Sequence, residues 1–384
     1  MRRLLPIRRH ELIKFLVLST LFFLICLNNH ILRNLKETVI ITKPELGVNA
    51  IPFIKTWMML PIILTVVKGY IYLSGRFSQD KVTYIILLSL LLYFVLFISI
   101  LYPNEERLQI PFAACSVVQH WNLSLFYCVS EIWGAVVMMI LFWGTCNRST
   151  DLDQAKRFYS PILAISNLSG FASAHISISC SQGSLKHLLF PGIASWNATL
   201  STLTLLVSVV TVAILGLFYY LQSYVLKSEA VEQPQKERLS LLEAVRSIAT
   251  NLKLRALAFT IFAYYFCSGI LELILKYQLH TMYSDANEFN DILNQMTICV
   301  SVASTLVTAF VTGSLLRRFS WRVSALATPL LLTIPLTILV AHYFFFEREA
   351  YVLAMCYAVY FMLSRMCKFT FFDLSKEIAC VGFS

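Results

Sequence analysis

Apolar residues in this chain occur in long runs that are separated by short polar connections. An α-helix needs about 20 apolar residues to cross the hydrocarbon core of a bilayer. Several runs of that length, including 82–102, 199–226 and 323–346, contain no Asp, Glu, Lys or Arg. The pattern predicts about ten membrane-spanning helices. We place them at 12–32, 52–75, 82–102, 119–146, 158–181, 199–226, 254–280, 292–316, 322–346 and 350–373.

Composition agrees with this prediction. The chain is 58% hydrophobic and 14% charged, and its mean hydropathy is +0.70, whereas about a quarter of the residues of soluble proteins are charged. Its net charge of +10 fits Lys and Arg retained on the cytoplasmic side of a membrane. No basic stripe interleaved with aromatic residues appears in a polar segment, so we expect a lipid bilayer as the partner and no nucleic acid.

One sizeable polar segment, 227–253, divides the chain. It predicts an N-terminal six-span bundle at 1–226, a cytoplasmic linker at 227–253 and a C-terminal bundle of four spans at 254–384. Basic residues in the loops at 147–157 and 317–322 place those loops and the N-terminus in the cytoplasm. Six spans followed by a cytoplasmic linker are typical of major-facilitator-like transporters. That fold has twelve spans, so we expect a C-terminally truncated, incomplete second bundle.

Charged residues inside the predicted spans are the strongest functional signal. Arg33 and Lys36 end the first span, Glu131 interrupts the fourth, and Glu272 and Lys276 interrupt the seventh. A charge at membrane depth costs at least about 2.5–3.5 kcal/mol and by default marks a solute pathway.

Each of these charges also has a structural interpretation, which the sequence leaves open. Arg33 and Lys36 could snorkel to the membrane interface, and Glu37, four residues after Arg33, can pair with it and leave Lys36 the less compensated cation. Glu131 could form an interhelical ion pair, and Glu272 and Lys276 could neutralise each other within one helix. Secondary candidates for the pathway are Lys55, Arg365 and Lys368.

Motifs of enzymes and metal sites are absent from the sequence. It contains no HExxH, no phosphate-binding Gly-x-x-x-x-Gly-Lys-Ser/Thr loop and no GxSxG. The ten cysteines include no CxxC pair and are interpreted as small buried hydrophobic residues. We therefore expect no enzyme, no metal site and no cofactor.

The charged segments resemble those of the bacterial and plastid-type ATP/ADP translocases. The resemblance extends along the whole chain and rests on these segments: "ILRNLKETVIIT" with "AIPFIKTW", "VSEIWGAVVMMILFWG" followed by "AKRFY", "ILELILK", and "KFTFFDLSKEIA". It implies exchange of ATP for ADP by alternating-access antiport in a bacterial inner membrane. It also implies that Lys36, Glu131 and Glu272 match charged positions important for transport, and that Lys276 closes the same motif.

The sequence departs from the family pattern in two places. Glu272-Leu-Ile-Leu-Lys276 lacks the hydroxyl and the aromatic residue of the family's Glu-Val-Thr-Trp-Lys. We also expect the last two spans of the family pattern to be missing. Two alternatives therefore stay open: a proton-coupled nucleotide importer, and a truncated, inactive remnant of such a carrier. Nucleotide base preference, direction of net flux and oligomeric state are not determined by the sequence.

Overall fold

The computed structural model describes residues 7–111, 115–183, 185–226, 246, 249–308, 321–345 and 350–372. Ten long helices occur in these residues, and no strand does. They are α1 (Leu12–Ile41), α2 (Ala50–Arg76), α3 (Gln79–Leu101), α4 (Trp121–Ser149), α5 (Leu152–Gln182), α6 (Ser195–Val225), α7 (Leu252–Met282), α8 (Ala286–Val307), α9 (Trp321–Phe345) and α10 (Ala350–Cys367). Two short helices, Ser116–Gln119 and Leu185–Leu189, lie in the connections.

The helices confirm the prediction of an all-α polytopic membrane protein. Helices α1 to α7 each contain a stretch long and apolar enough to cross a bilayer. Shorter apolar stretches, Leu330–Ala341 and Tyr351–Cys367, lie in α9 and α10. Helix α8 covers the start of the predicted span at 292–316, and residues 309–316 lie outside the described part of the chain.

The described helices group into two units. The first comprises the described residues of Met1–Ala230 together with Tyr283–Val302, and the second those of Val231–Met282 and Ala303–Ser384. Most of α8 therefore groups with the six N-terminal helices, although it follows α7 in the sequence. Most of the predicted linker at 227–253 lies outside the described residues, so the predicted domain boundaries stay a prediction.

Helix α1 is the centre of the first unit. It packs most extensively against α5, and then against α6 and α4. Many of its apolar residues are buried, and Leu18 and Ile25 are completely so. Phe22 stacks on Phe142 of α4 with 4.2 Å between the ring centroids, and the indole N–H of Trp133 donates to the carbonyl of Ile25 at 3.0 Å. These contacts fix α4 against the middle of α1, so that the charged residues of both helices meet.

Close approach of three helices in this unit depends on a glycine. A Cβ atom placed on Gly170 of α5 would lie 2.1 Å from Oγ of Ser301 in α8 and 3.2 Å from Nε2 of His30 in α1. A larger residue at this position would require the Ser301 side chain to move, so glycine allows α5 to approach α1 and α8 closely.

Polar side chains of α5 and α8 are turned into the unit rather than towards lipid. They recur every three or four residues, which places them on one face of each helix. The buried members are Ser166, Ser169, Ser173, Ser177 and Ser181 of α5, and Asn290, Asn294, Thr297 and Ser301 of α8.

Candidate functional site

The first charged cluster lies where α1 crosses α4, and Lys36 is its centre. Only 3% of Lys36 is exposed. Its ammonium group forms an ion pair with the carboxylate of Glu131 in α4. It also lies 3.8 Å from the carboxylate of Glu37 and 4.3 Å from the ring centroid of Tyr127, in cation–π geometry. Three groups thus stabilise a cation that would otherwise be very costly at this depth.

This geometry corrects one expectation. The sequence suggested that Lys36 is a less compensated cation than Arg33, which can pair with Glu37. Instead Lys36 has two carboxylates within 4 Å, and Glu37 also accepts a hydrogen bond of 3.2 Å from the Tyr127 hydroxyl. Spacing within one helix could not show these partners of Lys36, because Glu131 and Tyr127 come from another helix.

Arg33 and Asn34 connect α1 to α8. Nη2 of Arg33 donates to Oγ1 of Thr297 at 3.3 Å. Nδ2 of Asn34 donates to Oδ1 of Asn294 at 2.8 Å and to Oγ1 of Thr297 at 3.2 Å. Sequence reasoning missed Asn34, Asn294 and Thr297. The polar residues of α8 at intervals of three and four were the signal that could have found them.

The second charged cluster belongs to the second unit. Glu272 of α7 pairs with Lys276 one helical turn later at 2.9 Å, as its spacing suggested. Both of its carboxylate oxygens also accept from Nη2 of Arg365 in α10, at 2.9 and 2.8 Å. Lys276 is almost fully buried. The structure therefore joins Arg365, a secondary candidate, to the motif of Glu272 and Lys276.

The other two secondary candidates have different surroundings. Lys55 is exposed, in the π-helical segment Ile54–Met58 of α2. Lys368 follows α10 and lies 5.4 Å from the ring centroid of Tyr265, in cation–π geometry. Arg365 is thus the secondary candidate with the strongest structural support, because it contacts a carboxylate of a cluster directly.

Two further ion pairs hold the ends of α1. Before its start, Glu11 accepts from Nη1 and Nη2 of Arg157 at 2.5 and 2.7 Å, and these hydrogen bonds lower the pKa of Glu11 to about 2. Beyond its end, Glu105 accepts from Lys43 at 2.9 Å and lies 2.8 Å from Nδ1 of His120. Burial raises the pKa of Glu105, but the contacts with Lys43 and His120 outweigh burial and lower it.

In both clusters a buried lysine is held by a carboxylate, and the side chain of that carboxylate is flexible. Such a cation can exchange its carboxylate for another anion without being left uncompensated. The described residues thus carry the chemistry for binding an anion at membrane depth.

Comparison with known proteins identifies the family. The family model described as "TLC ATP/ADP transporter" matches residues 1–383. The chain belongs to this family. The TLC family is one of transporters, and the resemblance inferred from the charged segments is confirmed.

The chain is similar to carriers from Chlamydia, Rickettsia and a plant chloroplast. The chain is 27% identical to "ADP,ATP carrier protein 1" of Chlamydia pneumoniae over 98% of its own length and 79% of the relative's. It is 27% identical to "ADP,ATP carrier protein 3" of Rickettsia bellii over 99% and 82%. It is 26% identical to "ADP,ATP carrier protein 1, chloroplastic" of Arabidopsis thaliana over 83% and 53%.

Proposed function

We propose that this chain exchanges ATP for ADP across a membrane by alternating-access antiport. The observation that carries the proposal is Lys36, an almost fully buried cation on a membrane-spanning helix in a chain of the TLC ATP/ADP transporter family. Nucleotides are polyanions, so a carrier for them needs cations inside the membrane.

The charged residues have distinct roles in this proposal. Arg33, Lys36 and Lys276 neutralise the phosphate groups of the nucleotide. Glu131 and Glu272 hold Lys36 and Lys276 when no phosphate is bound, and they release them when it is. The two hydrogen bonds from Arg365 to Glu272 add Arg365 to the cations that phosphate can recruit.

We infer that the carrier lies in a bacterial inner membrane with its N-terminus in the cytoplasm. The basic loops predicted from the sequence support this orientation. The nucleotides cross without hydrolysis and no cofactor takes part, because moving a bound anion requires no bond to be broken.

The test is uptake of labelled ATP by proteoliposomes that contain the purified protein, with or without ADP inside. We expect rapid uptake only with internal ADP. The Lys36→Gln variant should lose uptake, whereas Lys68→Gln, which changes an exposed lysine of α2, should retain it. Unchanged uptake by Lys36→Gln would remove Lys36 from the binding role.

The same vesicles distinguish the rival function. Uptake that needs a proton gradient but no internal ADP would favour a proton-coupled importer over exchange. Absence of uptake under all conditions, from protein that is folded and inserted, would refute both transport functions.

A further inference from the structure

Three hydrogen bonds between α1 and α8 run in the same direction. The donors, on Arg33 and Asn34, belong to α1, and the acceptors, on Asn294 and Thr297, belong to α8. All four residues lie in the first unit. Helix α8 therefore presents acceptor atoms to the part of α1 that carries the candidate phosphate-binding cations.

The acceptor role of Thr297 is fixed by its own backbone. A threonine hydroxyl has a single proton and two lone pairs. Thr297 gives that proton to the carbonyl of Leu293 at 2.9 Å, so its lone pairs are available to Arg33 and Asn34.

Asn294 is oriented in the same way. Its Nδ2 donates to the carbonyl of Asn290 at 2.8 Å, which directs its Oδ1 towards Asn34. Because Asn294 and Asn34 are both buried, this orientation is not open to competition from bulk water in the state described.

A phosphate group is a stronger acceptor than a hydroxyl or an amide oxygen. A hydrogen bond from the Asn34 amide to an anion is about twice as strong as its present bonds to neutral acceptors, and a guanidinium can bind a phosphate through two parallel hydrogen bonds, which a hydroxyl does not offer. Arg33 also lies three residues before Lys36, on the same face of α1. A phosphate that reaches Lys36 is therefore close to Arg33, and Asn34 shares the acceptor Thr297 with Arg33.

We propose that Asn294 and Thr297 are positioning residues that occupy the donors of Arg33 and Asn34 in the unloaded carrier, and that a nucleotide phosphate takes those donors and frees α8 from α1. The proposal rests on the proposed nucleotide exchange. It gives a physical reason for obligatory exchange: the unloaded carrier is held by these contacts, and only the loaded carrier releases them.

A second set of contacts holds the start of α8 against α5 and α6. Near its start, Asp291 accepts from Nε2 of Gln182 in α5 at 2.9 Å, and Asn287 accepts from the Thr199 hydroxyl in α6 at 2.8 Å. These partners carry no cation for phosphate, so nucleotide does not compete for them. Loss of the bonds to Asn294 and Thr297 would then loosen α8 from α1 while the start of α8 keeps its own partners.

The test is the Thr297→Val variant, which has almost the same shape but no acceptor oxygen. Hydrogen bonds between membrane helices are worth on average roughly a threefold factor in an equilibrium constant each. Thr297→Val loses two such bonds, so the ratio of ATP uptake by ADP-free proteoliposomes to ATP uptake by ADP-loaded ones should rise about ninefold. Thr297→Ser, which keeps the hydroxyl, should restore the wild-type ratio.

A second measurement separates this role from a merely structural one. Since removing a competing acceptor makes the donors more available, Thr297→Val should bind labelled ADP more tightly by a similar factor. A variant that only distorts the protein would bind it less tightly. The matched control is Thr65→Val, because Thr65 is exposed and its hydroxyl bonds the carbonyl of Pro61 four residues earlier.

The outcomes are decisive. An unchanged uptake ratio and unchanged or weaker ADP binding in Thr297→Val would overturn the inference while leaving exchange by the wild type intact. If Thr297→Val does not insert, Asn294→Leu, which removes the other acceptor, is measured in the same way. Failure of the wild type itself to exchange would instead refute the proposed function.

Discussion

A double substitution that exchanges the charges of Lys36 and Glu131 distinguishes their contribution to stability from their contribution to transport. Glu131→Lys alone and Lys36→Glu alone should both destabilise the protein, because each leaves like charges together at a buried site. Removing one partner of a buried ion pair costs about 3–5 kcal/mol. Glu37 remains 3.8 Å from the Lys36 ammonium and the Glu131 side chain is 34% exposed, so we expect about 3 kcal/mol for Glu131→Lys. Lys36→Glu, which faces Glu37, should cost more.

The double variant should recover most of this loss. With both substitutions made, positions 36, 37 and 131 would again hold one cation and two carboxylates. The exchange would alter the contact of the cation with the Tyr127 ring, which at 4.3 Å is worth about 0.5–2 kcal/mol. The double variant should therefore lie about 1 kcal/mol below the wild type in stability, well above either single variant.

Transport should not recover with stability. In the proposed function the cation is needed on α1, beside Arg33, where it meets the phosphate. The assays are the thermal midpoint of the purified protein in detergent and ADP-dependent ATP uptake. Lys36→Arg, which keeps the cation on α1, should retain exchange and serves as the control.

Two outcomes would refute this reasoning. Full exchange activity in the double variant would mean that Lys36 is only half of a structural pair. A double variant no more stable than the single variants would mean that the two charges do not stabilise each other in the folded protein.

Two further predictions concern other ion pairs. Glu272→Gln removes the carboxylate shared by Lys276 and Arg365. It should therefore lower stability by about 3 kcal/mol and reduce exchange. The control Glu288→Gln, at an exposed position of α8, should change neither the thermal midpoint nor uptake. Glu11 has a pKa of about 2 in the folded protein against an ordinary 4.5; its contribution is therefore complete above pH 4.5 and is lost as the pH falls towards 2. Arg157→Gln should flatten the fall of the thermal midpoint across that pH range, and an unchanged acid profile would contradict the assignment to this pair.

The membrane-spanning helices were easier to predict from the sequence than the interaction partners of the charged residues. The predicted spans at 12–32 and 254–280 lie within α1 and α7, because the length of an apolar run is a local property of the sequence. Even so, α1 continues past residue 32 to Ile41 and includes Arg33, Lys36 and Glu37. Its last turns stay helical because residues of other helices stabilise the charges in them. Those residues are far away in the sequence, so a scan for local apolar runs does not detect them.

The contacts of the charged residues show the same limit. The pair of Glu272 and Lys276 follows from spacing within one helix, and the structure has it. The partners of Glu131 and Arg365 lie on other helices, 95 and 93 residues away along the chain. Only the need for a partner could be inferred there, from the cost of burying a lone charge.

The contacts that each cluster makes between helices indicate how it would respond to a nucleotide in the proposed function. In the first cluster, Lys36 of α1 pairs with Glu131 of α4, and Arg33 of α1 donates to Thr297 of α8. In the second, Glu272 of α7 pairs with Lys276 of the same helix and with Arg365 of α10. A phosphate that takes Lys36 and Arg33 would displace Glu131 and Thr297 and so loosen α1 from α4 and α8, whereas the pair of Lys276 and Glu272 lies within one helix. Since displacement between helices is what couples binding to movement, substitutions in the first cluster should alter the strictness of exchange, and substitutions of Lys276 should chiefly alter affinity for nucleotide.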